Sequence, residues 1–241
     1  MCEVVDVVPK TKSVSVVFVE NNLEEVPQPG QFVMVWVYGV DEIPMAISHF
    51  DSTRIGITVN EVGECTKALR NVRKGESIGL RGYFGRGFTT SASKALLIGG
   101  GVGIAPLTYL SNVLVGEGAE VVVCFGVKSG DELILVEDVK GRKMIATEDG
   151  SQGVKGTVIR LLDLGFENLN FEKFDRIYCC GPEKMMFEVF KRVCEHGMLQ
   201  KCEFSLHRYF KCGMGVCGSC CIDPHGWRVC KEGPIFRGDE L

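Results

Sequence analysis

With 241 residues the chain is long enough for one large domain or two to three small ones, and 45% hydrophobic with 24% charged residues is a globular balance, not a disordered or collagen-like one. Its 27 basic against 31 acidic residues leave a net charge of −4, which argues against a nucleic-acid footprint or a polybasic membrane patch. Apolar runs such as 120–127 fall short of the roughly 20 residues a bilayer span needs, and residues 1–6 lack the basic start of a secretory signal, so neither is expected.

From Glu3 to about Gly87 short apolar runs at 14–19, 31–38, 54–60 and 77–81 alternate with turn residues, Pro27-Gln-Pro-Gly30 among them. This pattern predicts a small antiparallel barrel or sandwich, with room for helix only near 66–69. The small, polar stretch 88–94 reads as a boundary. After it the period changes: a strand at 95–98, a glycine turn at 99–103, a helix at 105–115 with Pro106 in its first turn, and strands at 121–125 and 143–147. A helix at 158–164 ended by Gly165, a strand at 176–179 and a helix at 183–195 ended near Gly197 complete the alternation, which predicts a parallel α/β domain. Beyond Lys201 regular patterning fades, and a segment of roughly 40 residues normally needs a metal or disulfide staple.

Nine of the 12 cysteines stand at or after position 179. A secreted disulfide scaffold would spread its cysteines through a shorter chain, so this tail reads as a metal site in a reducing cytoplasm. Cys212-x4-Cys217-x2-Cys220, with Cys230 nine residues after Cys221, has the spacing of a plant-type [2Fe–2S] site. Gly213, Gly215 and Gly218 would let the loop wrap closely and aim N–H groups at sulfur. The alternative is a structural zinc site, which more often uses two C-x2–4-C pairs. Cys221, next to Cys220, is expected to point elsewhere as a buried bystander.

Ile98-Gly-Gly-Gly-Val-Gly-Ile-Ala-Pro106 has the strand, glycine turn and helix order of a nucleotide-phosphate site, but by itself fits close packing equally well. An acidic residue at the end of the second strand, usual in dinucleotide folds, is missing: Glu120 stands at that strand's start. Tyr178-Cys-Cys-Gly-Pro-Glu-Lys-Met185 is another strand end before a helix, on the same carboxyl edge, although a strand cysteine is more often packing than chemistry. His49, His196, His207 and His225 lack ligand spacing, and Glu148 with Asp149 precedes Gly150-Ser151 as in a turn. No catalytic triad or carboxylate pair is predicted.

In this order a β-rich start, Gly-Gly-Gly-Val-Gly-Ile-Ala-Pro106, Cys180-Gly-Pro182 and the cysteine tail resemble the ferredoxin reductase superfamily. Nearly the whole chain resembles, within it, the electron-transfer subunits of NAD-linked (class B) dihydroorotate dehydrogenases. Asp41-Glu-Ile-Pro-Met-Ala-Ile-Ser48, Gly63-Glu-Cys-Thr-Lys-Ala-Leu69, Gly82-Tyr-Phe-Gly-Arg-Gly-Phe88 and Thr147-Glu-Asp-Gly-Ser151 carry the resemblance further. It implies an FAD-binding barrel at 1–90, an NAD-binding α/β domain at 91–200 and a [2Fe–2S] domain at 201–241 ligated by Cys212, Cys217, Cys220 and Cys230.

The resemblance also places Ile43, Pro44, Met45 and Ala46 at the family's flavin-binding Arg-Pro-x-Ser stretch. Thr58, Val59 and Asn60 match its second flavin strand, and Cys65 with Thr66 its Gly-Thr pair at the pyrophosphate. Here Ile43 stands for Arg, Ala46 for Ser and Cys65 for Gly; the loss of Arg removes a bidentate phosphate contact. Gly100, Gly101 and Gly103 are implied at a dinucleotide phosphate, and Cys180, Gly181 and Pro182 beside the nicotinamide. Lys128, followed by Asp131 and Glu132, suggests NAD(H) over NADP(H).

The implied function is to pass electrons between a dihydroorotate dehydrogenase catalytic subunit and NAD, through [2Fe–2S] and FAD, in pyrimidine biosynthesis. A dihydroorotate-oxidising barrel would itself need about 250 residues, so an FMN-containing partner subunit in a cytoplasmic heterotetramer is implied. The reductase subunit of another complex, such as a hydrogenase, a sulfide dehydrogenase or a ferredoxin–nicotinamide oxidoreductase, shares this layout. A zinc-stapled regulator without redox chemistry is the alternative from another class.

Overall fold

The computed structural model describes residues 1–23, 25–168 and 171–241. They form two compact units, Met1–Gly87 with His207–Pro234, and Phe88–Leu206 with Ile235–Leu241.

In the first unit β1 (Cys2–Pro9), β2 (Val14–Glu20), β3 (Phe32–Val37), β4 (Asp41–Phe50), β5 (Arg54–Asn60) and β6 (Ser77–Phe84) close into an antiparallel barrel, with α1 (Glu64–Arg70) after β5. The strand order is β1-β2-β5-β4-β3-β6. The period-2 pattern of β3 places Val33 and Val35 on one face and Phe32 and Met34 on the other, and all four are buried. β1 and β4 were not among the predicted runs. In β4 the stretch Ile43 to Ala46 is half-buried throughout, so it lacks the in-and-out alternation that marks a strand.

One irregularity organises the outer face of β3. Phe32 pairs with Phe84 and Met34 with Arg81, so two residues of β3 are spanned by three of β6. Gly82, at φ +124, supplies the extra residue of this bulge. The bulge brings Arg81 and Phe84, which regular alternation would place on opposite faces, to one face, and the Arg81 guanidinium lies 5.2 Å from the Phe84 ring centre. Phe210, from the unit's second segment, packs on Phe32 with ring centres 4.8 Å apart.

In the second unit β7 (Lys94–Gly100), α2 (Ile104–Gly116), β8 (Glu120–Val127), β9 (Arg142–Thr147), β10 (Val154–Lys155), α3 (Val158–Asn168), β11 (Arg176–Cys180), α4 (Glu183–Glu195) and β12 (Cys202–Ser205) follow in order; β10 and β12 were not among the predicted strands, and the other elements stand where strand and helix were expected. The sheet order is β10-β9-β8-β7-β11-β12, all parallel, closed at one edge by an antiparallel strand from the C terminus. α3 runs past Gly165 instead of ending there. Val158, Leu161 and Leu162 bury its apolar face on the sheet, which outweighs the roughly 1 kcal/mol a glycine costs inside a helix.

The tail departs from the expected single module at 201–241. After β12 the chain leaves the sheet, forms the small hairpin β13 (Cys221–Ile222) and β14 (Trp227–Arg228), and returns as β15 (Ile235–Arg237), antiparallel to β12. The sheet edge recruits both flanks because backbone N–H and C=O groups need partners, and the part between them, His207–Pro234, groups with the barrel.

Glu203 of β12 is a buried carboxylate whose two oxygens accept from the Thr89 N–H (2.9 Å) and hydroxyl (2.6 Å), while Tyr178 donates to the Thr89 carbonyl (2.6 Å). Replacing Glu203 with Ala leaves the part-buried N–H and hydroxyl of Thr89 unpaired, an expected loss of about 2 kcal/mol. That corresponds to roughly 4–8 °C in the thermal midpoint, measurable by circular dichroism, and an unchanged melt would show that this pair does not anchor the segment.

Candidate functional site

Cys212, Cys217, Cys220 and Cys230 all fall in the segment Cys212 to Cys230 that stands on the barrel. Gly213, Gly215 and Gly218 have φ of +72, +79 and +73, conformations that side-chain-bearing residues rarely adopt, and they curl the loop around its thiols. The backbone then donates to sulfur four times: Val216 N–H (3.3 Å) and Cys217 N–H (3.5 Å) to Cys212 Sγ, Gly215 N–H (3.2 Å) to Cys230 Sγ, and Cys230 N–H (3.4 Å) to Cys220 Sγ.

These bonds link the cysteines in two pairs, Cys217 N–H to Cys212 Sγ and Cys230 N–H to Cys220 Sγ. N–H bonds from Cys217 and Val216 draw the Cys212 thiol down to about 6, whereas burial pushes Cys230 up to about 12. Two thiol pairs wrapped in N–H donors fit two irons with two thiolates each. Among the described residues no group of three His, Cys, Asp or Glu side chains is placed to hold a single metal ion. Cys221 starts β13 and is exposed, not buried as expected, because the two-residue hairpin leaves its side chain uncovered.

Two arginines brace this loop, and neither was singled out in the sequence. Arg228 pairs with Glu232 and donates to the Gly215 carbonyl at 2.8 Å. Arg81 donates to the Cys212 carbonyl at 3.1 Å. The position of Arg228, two residues before Cys230, was a usable signal; Arg81, 131 residues from Cys212, left none.

On the barrel, Ile43, Pro44, Met45 and Ala46 pair with β3, and pairing of β4 with β5 begins only at Ile47. Asn60 ends β5 half-buried. Val59 is fully buried, and Thr58 donates to Ser48 Oγ (2.8 Å), which donates to the Gly56 carbonyl (3.1 Å), so both side chains are covered, on opposite faces of the strand. Cys65 is likewise buried, its thiol pushed up by burial and directed at the Asp41 carbonyl. Thr66 Oγ1 accepts from the N–H groups of Val62 (3.0 Å) and Gly63 (2.9 Å), closing the first turn of α1. Ile43, Pro44, Met45, Ala46, Asn60 and Thr66 thus keep partly exposed side chains, while Thr58, Val59 and Cys65 offer a ligand only backbone.

In the α/β unit the strand order reverses between β7 and β11, and the carboxyl ends of these neighbours bring Gly99–Gly103 beside Cys180-Gly-Pro182. The approach is close enough that a Cβ on Gly103 would lie 2.4 Å from the Cys180 carbonyl oxygen. A cleft of about 470 Å³ opens at this edge, lined by Gly100, Gly101, Lys128, Glu132, Glu148 and Pro182 among others. Gly103, Cys180 and Gly181 are buried and do not line it. Burial pushes the Cys180 thiol up to about 12, as for a packed cysteine. Glu148, read as a turn residue, and Glu132 line the cleft, as do Lys184 and Glu188.

The barrel, the doubly wound sheet and the cysteine loop define a ferredoxin-reductase-like oxidoreductase. Residues 97–191 match the oxidoreductase NAD-binding domain, and residues 207–241 match the iron-sulfur cluster binding domain of dihydroorotate dehydrogenase B. The probable dihydroorotate dehydrogenase B (NAD(+)) electron transfer subunit of Methanocella arvoryzae is 45% identical over 89% of this chain and 81% of its own length. The corresponding protein of Methanocaldococcus jannaschii is 36% identical over 100% of this chain and 90% of its own. A solved NADH-dependent reduced ferredoxin–NADP oxidoreductase superposes with a TM-score of 0.88 at 27% identity, covering 100% of this chain and 89% of the other. The chain belongs to the family of dihydroorotate dehydrogenase B electron transfer subunits.

Replacement of Cys212, Cys217, Cys220 or Cys230 by Ser is expected to abolish the cluster, and Cys221→Ser to retain it. Iron and sulfide analysis of the purified variants decides, and full cluster content in a Cys230 variant would overturn the ligand set.

Proposed function

We propose that this chain passes electrons between a dihydroorotate dehydrogenase catalytic subunit and NAD, with a [2Fe–2S] cluster at Cys212, Cys217, Cys220 and Cys230 and FAD on the barrel. The carrying observation is the loop of two thiol pairs wrapped in backbone N–H donors. Bound FAD and cluster together supply the conversion between a two-electron hydride and single electrons. The chain's own residues bind and orient: Ile43, Pro44, Met45, Ala46, Asn60 and Thr66 offer the flavin surface, Gly100 and Gly101 the dinucleotide phosphate turn. None of these steps asks for a protein general acid.

Ile43 replaces the phosphate-binding arginine of the wider superfamily, so the FAD pyrophosphate is left to backbone N–H groups in the first turn of α1 other than those of Val62 and Gly63, which Thr66 Oγ1 already accepts. FAD, not FMN, is expected because this turn suits a pyrophosphate. Heat release followed by chromatography identifies the flavin, and FMN alone would overturn the assignment.

In the cleft lining the carboxylates of Glu132, Glu148 and Glu188 outnumber the ammonium groups of Lys128 and Lys184, a balance that opposes a 2′-phosphate. NADH should therefore reduce the flavin at lower concentration than NADPH in single-turnover mixing, and Glu132→Gln with Glu148→Gln should narrow the gap. Equal response to both nucleotides before substitution would reject this selectivity.

The partner is an FMN-containing catalytic subunit, joined in a cytoplasmic heterotetramer. Tyr209, Met214 and Val216, beside the first ligand pair, are 68%, 49% and 78% exposed, an apolar surface suited to an interface. Phe210 belongs to the core and not to this surface. Co-expression with the catalytic subunit from the same genome should give a complex that reduces NAD with dihydroorotate. Met214→Asp should weaken assembly at least tenfold with the cluster spectrum intact. The structural similarity to the ferredoxin–NADP oxidoreductase supports a second reading as the reductase subunit of another complex. Copurification and electron transfer with such a subunit, and not with the dihydroorotate enzyme, would favour it.

A further inference from the structure

Cys212 is attached to the barrel by a charged group outside the ligand set. Arg81 Nη2 donates to its carbonyl at 3.1 Å, while Nε and Nη2 of the same guanidinium grip Glu42 Oε1 (3.0 Å) and Oε2 (2.8 Å). Glu42 directly precedes Ile43, where the proposed flavin strand begins. Across β3 the two partners are diagonal, Glu42 opposite Trp36 and Arg81 opposite Met34. The floor beneath the loop completes the brace: a Cβ on Gly213 would lie 2.9 Å from Met34 Cγ and 3.3 Å from the Phe84 ring, the ring over which Arg81 also lies.

This arrangement has a direction. The guanidinium stands between Cys212 and the Glu42 carboxylate, so the ion pair is a dipole with its positive end toward the cysteine loop. Both side chains are about one-third exposed, 37% for Arg81 and 31% for Glu42, so water screens the pair only in part. A four-thiolate cluster gains one negative charge when it takes up one electron. A fixed positive end beside a ligand favours the reduced form, and a carboxylate nearby favours the oxidised form.

We propose that Arg81, oriented by Glu42, is a positioning residue that holds the first cluster ligand against the flavin-binding strand and raises the reduction potential of the cluster. The inference rests on the cluster and flavin assignment given above. Its consequence is specific in sign. Removing Arg81 makes the cluster harder to reduce, whereas removing only the charge of Glu42 leaves the guanidinium in place and makes it easier. A salt bridge with a merely structural role predicts that either substitution acts alike, since either breaks the pair.

The test uses the whole chain with its cofactors bound, purified without oxygen as wild type, Arg81→Gln and Glu42→Gln. Iron, sulfide and flavin content are measured first, and the cluster potential is then titrated with redox dyes and followed by electron paramagnetic resonance. At the wild-type midpoint Arg81→Gln should raise the ratio of oxidised to reduced cluster at least threefold, about 28 mV for a one-electron couple at 59 mV per tenfold. Glu42→Gln should lower that ratio. Unchanged potentials, or shifts of the same sign in both variants, overturn the proposal. If Arg81→Gln fails to hold the cluster, Glu42→Gln alone decides: a positive shift supports the proposal, and none or a negative one overturns it. Absence of iron and sulfide from the wild type would defeat the cluster assignment itself; an intact cluster indifferent to both substitutions would defeat only this inference.

Discussion

The outer face of β3 carries the part of the chain that cannot fold alone. The segment from Phe210 to Cys230 has too few apolar residues for a core, and it carries five cysteines, four of them the proposed ligands, which would become negative on binding metal. Phe32, Met34 and Phe84 supply the missing floor, with Phe210 on Phe32 and Gly213 on Met34 and Phe84. That floor exists because a single extra residue at Gly82 turns Phe84 and Arg81 to one side of β6. The backbone N–H groups around sulfur, the left-handed glycines and the two arginine braces all presuppose the loop seated there.

The α/β unit solves a different problem with the same economy of side chains. A dinucleotide needs backbone close to its phosphates, and the reversal of strand order between β7 and β11 leaves a crevice where two glycine turns meet. Gly103 serves packing, since its Cα presses on the Cys180 carbonyl, whereas Gly100 and Gly101 stay at the cleft surface. The buried Cys180 thiol belongs to the packing as well. The charged residues that line this cleft are Lys128, Glu132, Glu148, Lys184 and Glu188.

The cysteine loop divides into a shielded half and an open half. Cys220 and Cys230 are 2% and 1% exposed, while Cys217 is exposed and Cys212 partly so. Apolar side chains that would ordinarily be buried, Met214 and Val216, stand on the open half. Exposed apolar area beside a charged site is costly in water unless a partner covers it, which agrees with a family whose members are named as subunits.

Much of this was legible in the sequence because it depends on neighbours in the chain. The cysteine spacing, the glycines among those cysteines, the period change after the stretch 88–94 and the order of the two carboxyl-edge motifs are local signals that need no tertiary contact to be read. Tertiary structure alone decided what depends on distant contacts. It split the tail between two units, since strand edges recruit whichever backbone lies beside them, and it carried α3 past Gly165 because packing outweighs propensity. It turned Val59 and Cys65 inward, left Cys221 outside, and brought Arg81 to a carbonyl 131 positions away. Spacing along a chain records which groups can share a loop; which charge faces that loop is set by barrel closure and by the one-residue bulge in β6.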